Sequence, residues 1–343
     1  MKTIFTFLIT TFFCVTVNAQ TPPPGLEDGV PFRNWLKANF HTDIFDPLTY
    51  SQAREKMYSY TENFNDTVEC IYSGYKRYNP RGNGVSVLDP INTEHSVPQS
   101  YYNDSEPMRS DMHILFPAYD DWNSLRSNYK YKEIPDNETD QWILNTSSTG
   151  SIPSSNIDAY SEFDNKNFDQ SWEPREIRKG DIARAIFYFY TMYPNYDMQV
   201  IGDRATFCNW HENDLPDARE ISRNAGIIRF QNNTNPFIDH PEWANNAWGC
   251  NVQVNSTDLQ IFNSKLSLYP NPASDLLQIE INDWENFPIS ATFLTLDGKT
   301  VYQVDLVSPQ SMVELNHIPN AAYIVSFKTK EGKLLGNSSL VVE

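Results

Sequence analysis

The spacing of apolar residues in the region 20–255 indicates a domain of mixed helices and strands. Helical spacing occurs in Tyr50–Tyr60 and Trp122–Tyr131, while the run Val68–Tyr75 is typical of a strand. The most regular stripe follows Asp181, which we expect to be the N-cap of a core helix with apolar positions at Ile182, Ala185, Ile186, Phe189 and Tyr190. These patterns predict an α+β fold for residues 20–255.

The pattern changes after a polar linker, which we place at residues 256–264. Short alternating runs separated by Pro-Asn-Pro, Asp-Gly and Glu-Gly turns then predict strands at Lys265–Tyr269, Leu276–Ile281, Ala291–Leu296, Thr300–Val304, Ala322–Lys328 and Leu334–Val342. Strands this short and this evenly spaced favour a small all-β sandwich over residues 265–343.

The first nineteen residues have the organisation of an export signal. Lys2 supplies a positive start, Ile4–Val17 is apolar and without charge, and Val17-Asn18-Ala19 offers small residues for cleavage. The apolar run is shorter than the roughly 20 residues that span a bilayer. We therefore predict a signal peptide at residues 1–19, a secreted protein and a mature chain without a membrane span.

Composition limits how the protein can bind a partner. Aromatic residues make up 14% of the 343 residues, which excludes the disordered class. The net charge is −18, and residues 20–255 contain 34 acidic against 20 basic residues. If the ligand is a nucleic acid, a local basic cleft or a divalent cation must supply the attraction.

Three cysteines remain once Cys14 is assigned to the signal peptide. Cys70, Cys208 and Cys250 are an odd number, so at most one intramolecular disulfide forms. Without a C-x-x-C pair, a structural zinc site of the cysteine type is not expected. Cys208 with Cys250 is the candidate pair because both lie in one segment, and three buried thiols are the alternative.

Residues 92–131 contain side chains suited to phosphodiester hydrolysis. The neutral imidazole of His95 can accept a proton from water near pH 7, and Glu94 and Asn123 offer hard oxygens to Mg²⁺. Arg126, one helical turn after Asn123, can hold a phosphate through two hydrogen bonds. Each residue type also has an ordinary structural use. A Glu-His pair is usually solvated, Asp111 could be a helix cap, and His113 could be a buried core histidine.

The order of several motifs resembles the endonuclease I family of periplasmic and secreted nucleases. The resemblance covers about residues 45–250 and rests on EHSVPQS, SDMHILFPAYDDWNSLRSNY, YSQAR, RKGDIARAIFYFYTMY, NWHENDLPDAREISRN and FQNNTNPFIDHPEW. It implies a His-Me finger, or ββα-metal, active site, and cleavage of DNA, and possibly RNA, with little sequence preference to give 5′-phosphate ends.

The resemblance also implies roles for individual residues. His95 looks like the general base, Glu94 and Asn123 like the ligands of Mg²⁺ or another divalent cation such as Mn²⁺ or Ca²⁺, and Arg126 like a phosphate contact. Asn128 matches the same motif, so the second ligand is left open between Asn123 and Asn128.

Three further positions fall in the matched region. Asp111 and His113 match S-D-x-H, and we expect them to support the hairpin. Some members of the family carry an additional segment with a transition-state arginine after the E-H motif. Here the interval 96–109 is short, and Arg109 is the only base in it; a surface arginine is the alternative to that role.

The C-terminal region resembles the sorting domain of bacterial type IX secretion. The specific run is YPNPASD, followed by TLDGKTVYQ and AAYIVSF. It departs from the usual pattern where Asn320-Ala321-Ala322 precedes Tyr323 and where the chain ends in Val341-Val342-Glu343. The resemblance implies that type IX machinery exports the protein to the cell surface or medium, with release or anchoring left open.

Two other functions remain at this point. A different secreted hydrolase, such as a phosphatase, would use similar metal chemistry, and a secreted binding module would keep these residues without catalysis. The presence of Glu94, His95, Asn123 and Arg126 together favours an active nuclease, which we expect to be a monomer.

Overall fold

A computed structural model describes residues 21–166, 170–250, 266–281, 288–295, 299–329 and 334–343. The predicted signal peptide and the predicted linker 256–264 lie outside these residues. Buried apolar side chains form one cluster between Phe32 and Cys250 and a second between Ala273 and Val342. The first cluster belongs to mixed helices and strands and the second to strands, which agrees with the predicted α+β region followed by an all-β region.

The helices all precede residue 250 in the described part of the chain. They are α1 (Val30–Phe40), α2 (Tyr50–Lys56), α3 (Asp120–Arg126), α4 (Glu176–Met192), α5 (Arg204–Asn213), α6 (Ala218–Gln231), α7 (Pro236–Asp239) and α8 (Trp243–Trp248). A π-helical turn, Met57–Thr61, continues α2. Among the described residues, no helix is both long and apolar enough to cross a bilayer.

The strands of the first region form three separate pairings. An antiparallel sheet contains β1 (Asn63–Phe64), β2 (Thr67–Glu69) and β3 (Lys76–Tyr78), and a hairpin contains β4 (Ile91–His95) and β5 (Leu115–Tyr119). A five-stranded sheet contains β6 (Lys130–Tyr131), β7 (Gln141–Leu144), β8 (Ser147–Thr149), β9 (Ser161–Asp164) and β10 (Ser171–Glu173). Their order in the sheet is β6-β10-β9-β7-β8.

The β4–β5 hairpin leads directly into α3. His95 pairs with Leu115 at one end of the hairpin, and Ile91 pairs with Tyr119 at the other. Because α3 begins at Asp120, immediately after β5, the helix has to pack against the hairpin it follows. Asp120 and Asp121 in its first turn also interact favourably with the positive end of the helix dipole.

Helix α4 is buried along almost its whole length, and its start differs from our prediction. The helix begins at Glu176, so Asp181 lies inside it and is not the N-cap. Gly180 suggested that the helix begins after it. The structure instead needs glycine here for close packing, because a Cβ would lie 1.9 Å from the carbonyl oxygen of Asp214. The predicted apolar stripe from Ile182 to Tyr190 is buried as expected.

Two other predicted elements are shorter than the sequence suggested. The strand expected at Val68–Tyr75 ends at Glu69, because a turn closed by Gly74, with φ of 69°, follows it. The helix expected at Trp122–Tyr131 runs from Asp120 to Arg126 and is stopped by Ser127, whose φ is 53°. In both places a local backbone reversal overrides the apolar spacing.

The C-terminal strands form two antiparallel sheets around the second cluster. One sheet orders β11 (Leu266–Tyr269), β12 (Leu276–Ile281) and β15 (Gln310–Glu314); the other orders β14 (Thr300–Leu306), β13 (Ile289–Thr295), β16 (Ala321–Thr329) and β17 (Leu334–Val342). Strand β15 was not predicted, since Val313 is its one buried residue and apolar alternation is nearly absent.

Among the described residues, the cysteines form one disulfide and leave one free thiol. Cys208 of α5 and Cys250 form a disulfide, which confirms the candidate pair. Cys70 is a buried free thiol whose Sγ accepts hydrogen bonds from the backbone N–H groups of Ser73 and Tyr119, at 3.4 and 3.1 Å.

A buried polar network joins α4, α5 and α6. Arg184 donates to both carboxylate oxygens of Glu220 and to Nδ1 of His211, at 3.3 Å, while His211 Nε2 donates to the carbonyl of Pro241 at 2.9 Å. Both imidazole nitrogens are therefore used by the neutral ring. Burial and the adjacent Arg184 lower the pKa of His211 to about 3.

This network predicts a loss of stability in acid. Since His211 titrates near 3 in the folded state and at about 6.5 when unfolded, the unfolded state binds the extra proton as pH falls below 6.5. His211→Gln should reduce the dependence of the free energy of unfolding on pH by up to about 1.4 kcal/mol per pH unit. Urea titrations followed by tryptophan fluorescence from pH 7 to 4 measure this slope.

The matched control is His317→Gln, which removes an exposed histidine from the C-terminal region. It should leave the slope of the wild-type protein unchanged. Equal slopes for the wild type and His211→Gln would contradict the assignment.

Candidate active site

The end of β4 lies between α2 and α3 and presents different side chains to each. Asn92 and Glu94 share one face of the strand, and Asn92 contacts Asn123 of α3. Thr93 and His95 share the other face, where Thr93 hydrogen-bonds Tyr58 and the ring of His95 lies 5.5 Å from that of Tyr50 at the start of α2. The end of β4 thus contacts both α2 and α3.

Glu94 is buried and its charge is compensated by three side chains. Its Oε1 accepts a hydrogen bond from the Tyr72 hydroxyl at 2.7 Å and lies 3.5 Å from both the Tyr131 hydroxyl and Arg126 Nη1. Burial raises the pKa of Glu94, and the charge of Arg126 and the bond from Tyr72 oppose that effect. None of these three contacts uses Oε2.

His95 is held in one tautomer by the backbone. Its Nε2 lies 3.0 Å from the carbonyl oxygen of Arg109, and because a carbonyl only accepts, the proton is on Nε2. Nδ1 of the neutral ring therefore carries the lone pair. Burial lowers the pKa of His95 to about 4, and the nearby charges of Arg109, Arg54 and Arg126 act in the same direction. The imidazole is neutral at pH 7.

Asn123 and Asn128 occupy different environments. Nδ2 of Asn123 donates to Oδ1 of Asn92 at 2.6 Å and to the carbonyl of Thr93 at 3.3 Å, so the amide nitrogen is tied to the two residues of β4 that precede Glu94. Asn128 lies beyond the end of α3, is exposed, and uses its backbone carbonyl to accept from Tyr101 at 2.8 Å.

Arg126 is completely buried. Besides its approach to Glu94, Nη1 donates to the carbonyl of Ser127 at 3.0 Å, and Nη2 donates to that of Ser96 at 3.4 Å. The guanidinium also lies 4.4 Å from the centre of the Tyr131 ring. The guanidinium is therefore enclosed by protein groups, and the phosphate contact expected for Arg126 stays a prediction.

Two other arginines flank Tyr50 next to His95. The guanidinium carbon of Arg109 lies 4.4 Å from the Tyr50 ring centre and that of Arg54 lies 5.5 Å from it. Arg109 Nε donates to Gln99 at 2.9 Å, whereas Nε of Arg54 is buried without a hydrogen-bond partner among the described residues. Neither arginine is paired with a carboxylate in the described part of the chain.

Asp111 and His113 belong to a buried network behind the hairpin. Asp111 accepts from Gln231 at 3.0 Å and from the hydroxyls of Tyr188 and Tyr193 at 2.9 and 2.8 Å. His113 Nε2 donates to the carbonyl of Asn233 at 3.2 Å. These bonds fix the turn before β5 to α4 and α6, so neither side chain reaches His95.

Sequence reasoning did not single out Tyr50, Arg54, Tyr72 or Tyr131. Arg54 stands in the YSQAR run, which was quoted for the resemblance without a role. Tyr72 and Tyr131 are 22 and 37 positions from Glu94, and no spacing rule connects them to it.

A separate group of carboxylates, Glu133, Glu173 and Glu176, has spacing compatible with a cation. The ammonium of Lys179 lies between them, at 2.9, 2.6 and 2.5 Å from one oxygen of each. This group is therefore an ion-pair centre whose cation is a side chain.

Two family models match different parts of the chain. Residues 37–242 match the family described as Endonuclease I, and residues 267–343 match the secretion system C-terminal sorting domain. The second match confirms the type IX sorting domain and makes this a secreted or cell-surface protein.

Individual relatives are nucleases by name. An extracellular ribonuclease of Bacillus subtilis is 32% identical over 236 residues, covering 62% of this chain and 74% of the relative. An extracellular deoxyribonuclease of Aeromonas hydrophila is 31% identical over 133 residues, covering 38% of this chain and 50% of that protein.

Among solved structures, an immunoglobulin-like β-sandwich protein of Bacteroides vulgatus aligns with 23% of this chain and 85% of its own length, at 13% identity. Its TM-score of 0.20 is too low to support an argument. The family match, in contrast, spans more than half of the chain and contains Glu94, His95, Asn123 and Arg126. The chain therefore belongs to the endonuclease I family and is an endonuclease.

Proposed function

We propose that the protein hydrolyses phosphodiester bonds of nucleic acids with the help of a divalent cation, and that β4, β5 and α3 form a His-Me finger. The observation that carries the proposal is the state of His95, which is neutral, has its proton on Nε2 and offers Nδ1 as a base. The carboxylate of Glu94 and the amide of Asn123 belong to the same strand–helix unit.

His95 acts as the general base. Its Nδ1 accepts one proton from the attacking water, while the carbonyl of Arg109 stabilises the resulting imidazolium through Nε2. A base of this kind supplies roughly 10²–10⁴-fold in rate. The anionic phosphate of a bound substrate offsets the three arginine charges that lower the pKa of His95, and so favours the proton transfer.

Glu94 and Asn123 fit a hard divalent cation. The three side-chain contacts of Glu94 use Oε1 and both hydrogen bonds of Asn123 use Nδ2, so Oε2 and Oδ1 are the oxygens that we assign to a ligand. The backbone N–H of His95 also donates to the Glu94 carboxylate. Mg²⁺ prefers such oxygens and retains several waters, and Mn²⁺ or Ca²⁺ accepts the same donors. When bound, the cation supplies positive charge beside the scissile phosphate.

The arginines divide into two roles. Arg126 is a positioning residue, since it holds Glu94 and the backbone of Ser96 from within the core. Arg54 and Arg109, which lie beside His95 without carboxylate partners, are the groups we assign to the phosphate. Tyr50 lies between them and restricts both guanidinium groups.

We infer that the substrate is DNA, RNA or both, cut with little sequence preference to leave 5′-phosphate ends. Relatives named as a ribonuclease and a deoxyribonuclease support this range of substrates. The enzyme works as a monomer after type IX export, which the C-terminal sorting domain directs.

Removal of the imidazole tests the general-base role of His95. His95→Ala should lower cleavage of plasmid DNA and of RNA by at least roughly 10²-fold, because no other imidazole replaces it at this position. The wild type should cut both polymers with Mg²⁺, lose activity with chelator and leave a phosphomonoester intact. His317→Ala is the matched control and should retain full activity.

A loss of only a few-fold in His95→Ala would refute the general-base role. Hydrolysis of the phosphomonoester instead of the polymers would indicate a phosphatase, and no hydrolysis of any substrate by the wild type would indicate a binding module.

A Mg²⁺ titration distinguishes Asn123 from Asn128 as the second metal ligand. Asn123→Ala removes an amide oxygen beside Glu94, so the Mg²⁺ concentration for half-maximal cleavage should rise by about tenfold or more. Asn128→Ala, two residues beyond α3 and exposed, should leave the midpoint within a factor of two or so. The reverse order of the two midpoints would assign the second ligand to Asn128.

A further inference from the structure

A second concave surface lies on the β1–β2–β3 sheet and is lined by none of the residues assigned to catalysis. Its cavity has a volume of about 410 Å³. The residues that line it include Phe64, Thr67, Glu69, Lys76, Arg178 and Arg219. It combines an aromatic ring, a hydroxyl and several cations in one depression.

Four cations converge on the single carboxylate of Glu69. Lys76 and Arg219 each lie 3.4 Å from one of its oxygens, Arg178 lies 3.7 Å away, and Arg175 forms a close ion pair with it. One negative charge does not neutralise four positive charges. Two further acids offset part of the surplus, and both are shared with other arginines. Glu62 lies 3.2 Å from Arg219 and also pairs with Arg223, and Asp181 pairs with both Arg178 and Arg184.

The pKa of Glu69 reflects the same surplus of nearby positive charge. Burial by itself raises the pKa of this carboxyl, yet Arg219, Arg175 and Arg178 together bring the pKa down to about 2. The lining of the cavity therefore carries three cationic side chains, Lys76, Arg178 and Arg219, against the one carboxylate of Glu69, although the chain as a whole carries −18. A partly enclosed pocket with this lining favours an anion.

Arg178 supplies an unsatisfied donor in this pocket. The residue is 5% exposed, and its Nε has no hydrogen-bond partner among the described residues. A buried N–H without a partner is unfavourable, so a hydrogen-bond acceptor near this guanidinium would be stabilising. Because Arg178 lines the cavity, an anion within it can approach this guanidinium.

The two faces of β3 differ in relation to the cavity. Lys76 pairs with Glu69 across the sheet and lines the cavity, whereas Arg77 pairs with the buried Val68 and points to the opposite face. The side chain of Lys76 is 66% exposed, so it can move toward a ligand. Arg219 lies 4.9 Å above the ring of Phe64, which holds its guanidinium over the depression.

We propose that this pocket binds a phosphate group of a nucleic-acid strand at a distance from the bond that is cut. Arginine and lysine around a concave surface are the groups that recognise backbone phosphates, and an adjacent aromatic ring suits a base. The inference rests on the proposed function for its choice of a nucleic acid. A free phosphate offers the same chemistry and is distinguished by the experiment.

The test compares Lys76→Gln and Arg219→Gln with the control Arg77→Gln, which removes the same charge from the other face of β3. Fluorescence anisotropy measures binding of a labelled single-stranded DNA oligonucleotide in the presence of chelator, over a range of salt concentrations. Each pocket variant should bind roughly fivefold more weakly than the control at low salt. The slope of log affinity against log salt should become shallower by about 0.7, as for one lost phosphate contact.

Equal affinities and slopes for the two pocket variants and Arg77→Gln would overturn the proposal. Circular dichroism checks that Arg219→Gln folds, and Lys76→Gln alone decides the question if it does not. Thermal unfolding with inorganic phosphate forms the second arm. Stabilisation that requires Lys76, without any change in oligonucleotide affinity, would retain the phosphate site and assign it to free phosphate.

Because the chelator removes the divalent cation that the proposed cleavage needs, the binding experiment tests the pocket independently of catalysis. A protein that cuts nothing but shows the predicted difference in binding would support the pocket and refute the catalytic proposal. A protein that cuts DNA or RNA with indistinguishable binding by the three variants would do the reverse.

Discussion

The burial of one negative charge at the end of β4 constrains the whole site. A carboxylate removed from water is stable only when it is paired and hydrogen-bonded, and Glu94 obtains this from Tyr72, Tyr131 and Arg126. These partners come from three different parts of the chain. Because Arg126 belongs to α3, the same interaction that compensates the charge also fixes the helix that carries Asn123. The contact that stabilises the buried charge of Glu94 thus also holds α3 against β4.

For attraction of a polyanion, the positions of the charges in this protein matter more than its net charge. An acidic chain gives little long-range attraction for a polyanion, so contact has to be made over short distances. In the described part of the chain, cations gather beside His95, where Arg54 and Arg109 have no carboxylate partner, and around Glu69, where they outnumber the carboxylate that they share. The first serves the scissile phosphate in the proposed mechanism, and the second is where we place another phosphate of the strand. Aromatic rings accompany the arginines in both and limit their motion.

Much of the fold could be predicted because local spacing reflects burial. The apolar stripe from Ile182 to Tyr190 and most of the C-terminal strands follow directly from periodicity. The failures occurred where one backbone position decides the outcome. Ser127 stops α3 early, and Gly180 lies inside α4 because Asp214 approaches it closely. Strand β15 has too few buried residues to produce an alternating pattern.

The sequence by itself determined the residue types of the site, their order along the chain and the family, since Glu94, His95 and Asn123 lie in motifs that can be read locally. Only the tertiary structure decided which atoms remain available. The carbonyl of Arg109 selects the tautomer of His95, and Arg126 is buried against Glu94, where we propose that it positions the carboxylate. Protonation state and accessibility depend on groups that are distant in sequence, because electrostatic and solvation energies depend on distance in space.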